Sequence, residues 1–169
     1  MSITMYQASV PQFIRMLGNL KGILEKAVAH AAARKIDESV LLNARLYPDM
    51  FPLTRQVQLA TDFARGTGAR LAGVEQPAVE DKEQSFAALT ARVDAAIAYL
   101  NTLPAAKIDG SEAREITRKV RGVDRTFAGI DYLIQYALPN FYFHLTTAYA
   151  ILRHNGVEIG KGDFVGSFG

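Results

Sequence analysis

Leu138-Pro139-Asn140-Phe141-Tyr142-Phe143-His144-Leu145-Thr146-Thr147-Ala148-Tyr149-Ala150-Ile151-Leu152-Arg153-His154-Asn155-Gly156 reads as one punctuated helix. Proline sits where a first-turn N–H has no intrahelical partner, and Asn155-Gly156 closes the far end in a left-handed cap. Three more stretches show apolar residues at helical spacing. The first covers 4–30, with Val10, Phe13, Leu17, Leu20 and Leu24 on one stripe; Pro11 marks either a late start or a kink. A second starts near Pro52, carries Leu53, Val57, Ala60 and Phe63, and ends at Gly66 or runs on to Gly73. The third covers 83–103 with Phe86, Leu89, Val93, Ile97 and Leu100, and Pro104 ends it. A shorter piece over 38–46 has Asp37 as its N-cap.

Between these helices the chain is punctuated differently. Pro48 and Pro52 exclude helix interior, 74–81 is a loop, and Asp49 serves as a cap of the second long helix. Residues 115–120 alternate and are β-branched, Gly122-Val123-Asp124 is turn-like, and 126–132 is short and mixed, so a small hairpin is expected. After Gly156 the tail is too rich in glycine for helix; Gly160 and Gly162 supply its unusual dihedrals, and it packs back through Phe164 and Val165. Four amphipathic helices with short links bury their stripes only by packing together. The expected fold is an all-α four-helix bundle with a small β-hairpin before the last helix, one domain over 1–169.

Composition narrows the function classes. The 169 residues are 49% apolar and 21% charged, as in an ordinary globular chain. A net charge of +2 does not point to nucleic acid. Zero cysteines removes disulfides, thiolate metal sites and a cysteine nucleophile, and fits a reducing compartment. Met1 to Tyr6 has neither a basic nor an apolar region of a signal peptide, and no run is long enough to span a membrane, so a cytoplasmic protein without membrane partners is expected.

Histidine is the first candidate for chemistry. His144 and His154 lie about 15 Å apart along one helix, too far to share an ion. His154 in the last turn, and His30 at the end of the first helix, suit the helix dipole. His144 lies deep in an apolar helix beside Thr147 and Tyr149, either as a satisfied core group or as a ligand. Gly156 to Gly162 resembles a phosphate loop, but the spacing is one residue short and Gly162 stands where a hydroxyl is needed. Arg114, Arg118, Lys119, Arg121 and Arg125, interleaved with acids, read as a solvated hairpin face. No carboxylate pair has a spacing that demands acid–base work.

Leu46-Tyr47-Pro48-Asp49-Met50-Phe51-Pro52-Leu53, Gln56-Val57-Gln58, the segment Leu138 to Tyr149, Leu152-Arg153 and Gly160-Lys161-Gly162-Asp163-Phe164 resemble the family known as domain of unknown function 1993. That family is similar to the DinB-like superfamily of four-helix bundles, many of them dimers. The resemblance implies a DinB-like fold. It also implies, in the superfamily at large, a divalent metal held by a histidine on the second helix and an H-x-x-x-H pair on the last, with transferase or hydrolase activity. This chain departs from that pattern. His144 matches the first of the pair, but Ala148 stands four later, and 52–73 contains no histidine; Gln56 and Gln58 are the nearest polar residues. One imidazole with amide oxygens makes a poor zinc or nickel site.

The expectation is therefore a metal-free, cofactor-free bundle that binds a small molecule or serves in stress, as a homodimer. Its pocket would draw on Tyr47, Asp49, Gln56, His144, Thr147 and Tyr149. Tyr142 and Tyr149 also read as packing residues with hydroxyls at water. The alternatives are a DinB-like hydrolase or transferase with His144 as its catalytic group, and a dimeric interaction protein.

Overall fold

Pro11 starts the first helix and does not kink it: α1 runs Val10–Arg34 and ends with Lys35 in the left-handed region. In the computed structural model, which describes residues 2–167, a short α2 (Glu38–Leu42) follows, capped by Asp37, whose carboxylate accepts from the Ser39 N–H at 2.8 Å. Helix α3 (Leu53–Ala72) runs past Gly66 and stops at Gly73, which has φ of +67°. Its N-cap position is Pro52, without a side-chain bond, so Asp49 does not cap it and stands exposed in the preceding loop. Helix α4 (Phe86–Asn101) begins at Ser85, whose hydroxyl accepts from the Ala88 N–H at 3.1 Å. Among the described residues no helix is long and apolar enough to cross a membrane.

After the short α5 (Ala105–Ile108), β1 (Glu115–Val120) and β2 (Val123–Ala128) form the antiparallel hairpin. The turn is Arg121-Gly122, one residue earlier than the sequence suggests, with both residues at positive φ as a two-residue primed turn requires. Lys119, Arg121 and Arg125 are solvated as expected. Arg114 and Arg118 are not: both are half-buried, and Arg114 donates to the Leu71 carbonyl near the end of α3.

The last helix is longer than its punctuation implies. It enters at α6 (Gly129–Asp131), widens into a π-helical stretch over Tyr132–Ala137, and continues as α7 (Leu138–His154). Pro139 is therefore not a start. It has no N–H for an i−4 bond and its ring crowds the i−4 carbonyl, and the widened turn just before it relieves both. Gly156, with φ of +88°, closes α7. The tail does make one short helix, α8 (Lys161–Val165). Its positive φ falls at Gly166, while Gly160 is extended and Gly162 sits within the helix. Helix α8 lies on α1 through Lys26–Asp163 at 2.6 Å and the Asn19 amide on the Phe164 carbonyl at 2.9 Å.

Helix α3 is the central strut, packed against α7 and α4, while α1 packs on α4. Phe13, Leu17, Val57, Leu89, Phe141 and Leu145 belong to the core these helices share. Burying each such side chain contributes roughly 1.5–3 kcal/mol. The second half of α3 is buried on all sides, from Ala64 through Ala69, because α4, the loop 73–85 and the 132–137 stretch surround it. That enclosure brings polar groups of α3 into a protected space.

Candidate functional site

Gln56 and His144, 88 residues apart, meet between α3 and α7, with Nδ1 of His144 2.8 Å from Oε1 of Gln56. Gln56 Nε2 donates to the Phe51 carbonyl at 3.1 Å, which fixes the amide so that its oxygen faces the ring. Nδ1 therefore carries the proton and donates, leaving the Nε2 lone pair free of that bond. Phe63 stacks on the imidazole at 5.7 Å and Phe143 meets it edge-on at 5.3 Å. Burial, and after it the charge of Arg55, lower the His144 pKa from 6.5 to about 4. A base this weak takes a proton poorly at neutral pH, and Nδ1 is engaged by Gln56.

The other expected site residues do not join it. Tyr47 is exposed, as is Asp49, and no hydrogen bond or ring contact links either to His144 among the described residues. Thr147 is buried one turn along α7, but its hydroxyl donates to the Phe143 carbonyl of its own helix at 2.7 Å. Tyr149 packs edge-on against Phe164 of α8 at 5.7 Å. The metal that the superfamily implies does not fit these residues. The imidazole offers Nε2 alone, and the amide oxygen that would be a second donor is taken up by the Nδ1–H bond, so one donor is left where an ion needs several. Among the described residues no three His, Cys, Asp or Glu side chains converge.

A cavity of about 420 Å³ lies farther along the same face of α3, beyond Phe63. Its walls are Leu59, Asp62, Phe63, Arg65 and Arg70 of α3, residues 76–79 of the following loop, Arg118 of β1, and Tyr132 of the π-helical stretch. None of the six residues expected from sequence lines it. Phe63 is the shared element, since it stacks on His144 and also forms a wall of the cavity.

Arg92 of α4 holds this region together. Its side chain is almost wholly buried and reaches Asp62 at 2.7 Å, Asp81 at 2.9 Å and Glu83 at 3.0 Å. Its Nε donates to Thr61 at 2.9 Å and its Nη1 to the Glu80 carbonyl at 3.1 Å. Glu83 also accepts from Gln58 at 2.7 Å, and Arg65 donates to the Pro77 carbonyl at 2.9 Å. These bonds pin the loop 73–85 over the cavity. Burial raises the Asp62 pKa despite Arg92, with Asp81 adding to the effect. Burial also dominates at Glu83, but the bonds from Gln58 and Arg92 overcome it and hold the carboxyl below its usual range.

Sequence reasoning passed over Arg65, Arg70 and Arg92. A signal existed in α3, where Arg65 sits in Ala64-Arg65-Gly66-Thr67-Gly68-Ala69, a run too poor in large side chains to shield its surroundings from close packing. Arg92 adjoins the apolar stripe position Val93, and nothing local tells a buried arginine there from a solvated flank.

Helices packed in this order, with a hairpin before the last, define a DinB-like bundle. The crystal structure of a DinB family member protein from Shewanella denitrificans matches it with a TM-score of 0.91 and 42% identity, over 96% of this chain and 92% of that one. Residues 5–165 match the family described as "Domain of unknown function (DUF1993)", and the chain belongs to that family. No curated protein matches it.

Proposed function

We propose that this protein is a metal-free bundle that binds a small organic molecule. The observation that carries the reading is the cavity of about 420 Å³ beside α3, within the size range of small-molecule sites. Its lining combines Leu59, Phe63, Pro77, Val79 and Tyr132 with four charged side chains, which makes it more polar than most such sites. The enzyme alternative has less support: His144 does not line this cavity, and its pKa of about 4 is far from that of a useful neutral-pH base.

Thermal unfolding against a panel of small metabolites tests the reading. At least one compound should raise Tm, and Leu59→Trp, which intrudes into the cavity, should shrink that shift while leaving the protein folded. Stabilisation undiminished in this variant, or none from any compound, overturns it. We also keep the homodimer as a proposal, supported by Phe51 and Phe143, which are 54% and 56% exposed. Sedimentation velocity should show a dimer; a monomer across the micromolar range removes the idea.

A further inference from the structure

We infer that the α3–β1 cavity receives the oxyanion of a small aromatic molecule, an aryl carboxylate or aryl phosphate, between Arg70 and Arg118. The inference rests on the ligand-binding reading and adds the chemistry of the ligand.

Charge balance comes first. Three guanidinium groups, Arg65, Arg70 and Arg118, line the cavity with one carboxylate, Asp62. Asp62 is already held by Arg92 at 2.7 Å. Among the described residues neither Arg70 nor Arg118 forms an ion pair. Glu80, in the covering loop, bonds Lys82 at 3.0 Å and does not reach them. The cavity therefore has a surplus of positive charge that no described residue matches.

Unfilled bonding capacity comes second. The Nε–H of Arg118 is buried with no hydrogen-bond partner among the described residues. Among the described residues Arg70 reaches only the Tyr132 hydroxyl, at a long 3.4 Å. A buried donor without an acceptor is costly, and a ligand oxyanion supplies the acceptor. Planar guanidinium groups match carboxylate and phosphate oxygens in pairs, which a lysine would not do.

The backbone is shaped for the same purpose. A Cβ on Gly66 would lie 2.3 Å from Nη1 of Arg70 and 2.7 Å from Oε1 of Gln76. Glycine at this position lets the Arg70 head group fold down onto α3 at the cavity wall. Arg65 plays a separate part. It is 5% exposed, bonds the Pro77 carbonyl and lies 5.5 Å above the Tyr99 ring, so it anchors the loop. Arg70 and Arg118 are the two left to meet a ligand. The aromatic body is argued from the walls. Phe63 and Tyr132 line the cavity and belong to a continuous ring cluster through Tyr136, at 5.8 Å from each. Leu59, Pro77 and Val79 complete an apolar surface.

Isothermal titration of the full chain with benzoate, phenyl phosphate and neutral benzamide tests the inference. At least one anion should bind with a Kd in the millimolar range or tighter, and benzamide about tenfold or more weakly. Binding of benzoate alone assigns the carboxylate, and of phenyl phosphate alone the phosphate. Arg70→Gln and Arg118→Gln should each weaken the anion about tenfold, and added salt should weaken it further. Arg70→Lys should recover part of the loss, which separates charge from folding, and the exposed Lys119→Gln should change nothing. If benzamide binds as well as the anions and the arginine variants bind normally, the anion inference fails while the ligand-binding reading stands. If none of the three probes binds, the inference also fails, and the metabolite panel then decides the broader reading by itself.

Discussion

Burial between Phe63, Phe143 and Gln56 keeps the His144 ring neutral, with a pKa of about 4 against 6.5 when free. Stability must respond to pH in one direction. Between pH 4 and 6.5 the unfolded chain binds a proton at this residue that the folded chain refuses, so stability rises with pH. The His144 contribution is fully present above pH 6.5 and is lost as pH falls toward 4, by roughly 3 kcal/mol in total. His144→Gln removes the titration. Urea unfolding across this range should give the variant a flatter pH profile than the wild type, although the variant loses about 1–2 kcal/mol at pH 7 from disturbed Gln56 bonding. Identical slopes would sink the assignment. Legibility at this scale was uneven. His144 stood out because an imidazole deep in an apolar stripe is unusual, and Gln56 was the nearest polar group on the facing helix. The weak basicity was not legible, because it arises from Phe63 and Arg55 across the helix interface.

At the scale of elements, caps and breakers decided where sequence reading worked. Asp37 bonds a first-turn N–H of its helix, and Gly73 and Gly156 end theirs at positive φ, each for a reason local to a few residues. The reading failed where a residue departs from its usual role. Arg121 takes φ of +51°, uncommon without a glycine, so residue preference alone puts the hairpin turn one residue late. Pro139 looked like a start because the stretch 132–137 winds in a wider π turn and does not keep the 3.6-residue period. The entry to that helix is fixed by Gly129. A Cβ there would lie 2.0 Å from the Ser111 carbonyl oxygen, and the neighbouring Ile130 N–H donates to the Glu112 carbonyl at 3.0 Å. Gly129→Ala must push the helix away from residues 111–112. A loss of about 2–3 kcal/mol is expected, read as a lower midpoint in urea with an unchanged m-value. A variant as stable as the wild type would show that the close approach does not constrain the fold.

For the whole molecule, four apolar stripes were enough to read the bundle, because burying them leaves few alternatives. The cavity was not readable, since its walls come from α3, the loop that follows, β1 and the π-helical stretch, brought together only by the finished fold. A pocket of this kind leaves no spacing motif, unlike a set of metal-binding histidines. The same contrast gives a prediction about folding. If the protein needed a bound ion, as the superfamily pattern implies, removing it would withdraw free energy from the folded state alone. An ion at a hundred times its dissociation constant adds about 2.7 kcal/mol, which for a chain of this length moves Tm by roughly 5–10 °C. Among the described residues one imidazole, His144, stands at the α3–α7 interface, and no cluster of three ligating side chains exists. Thermal unfolding with excess EDTA, and again with added zinc or nickel, should therefore leave Tm within about 1 °C of the untreated protein. A chelator-induced drop of several degrees, restored by one equivalent of either ion, would mean that His144 holds a metal through Nε2 while its Nδ1–H stays on Gln56.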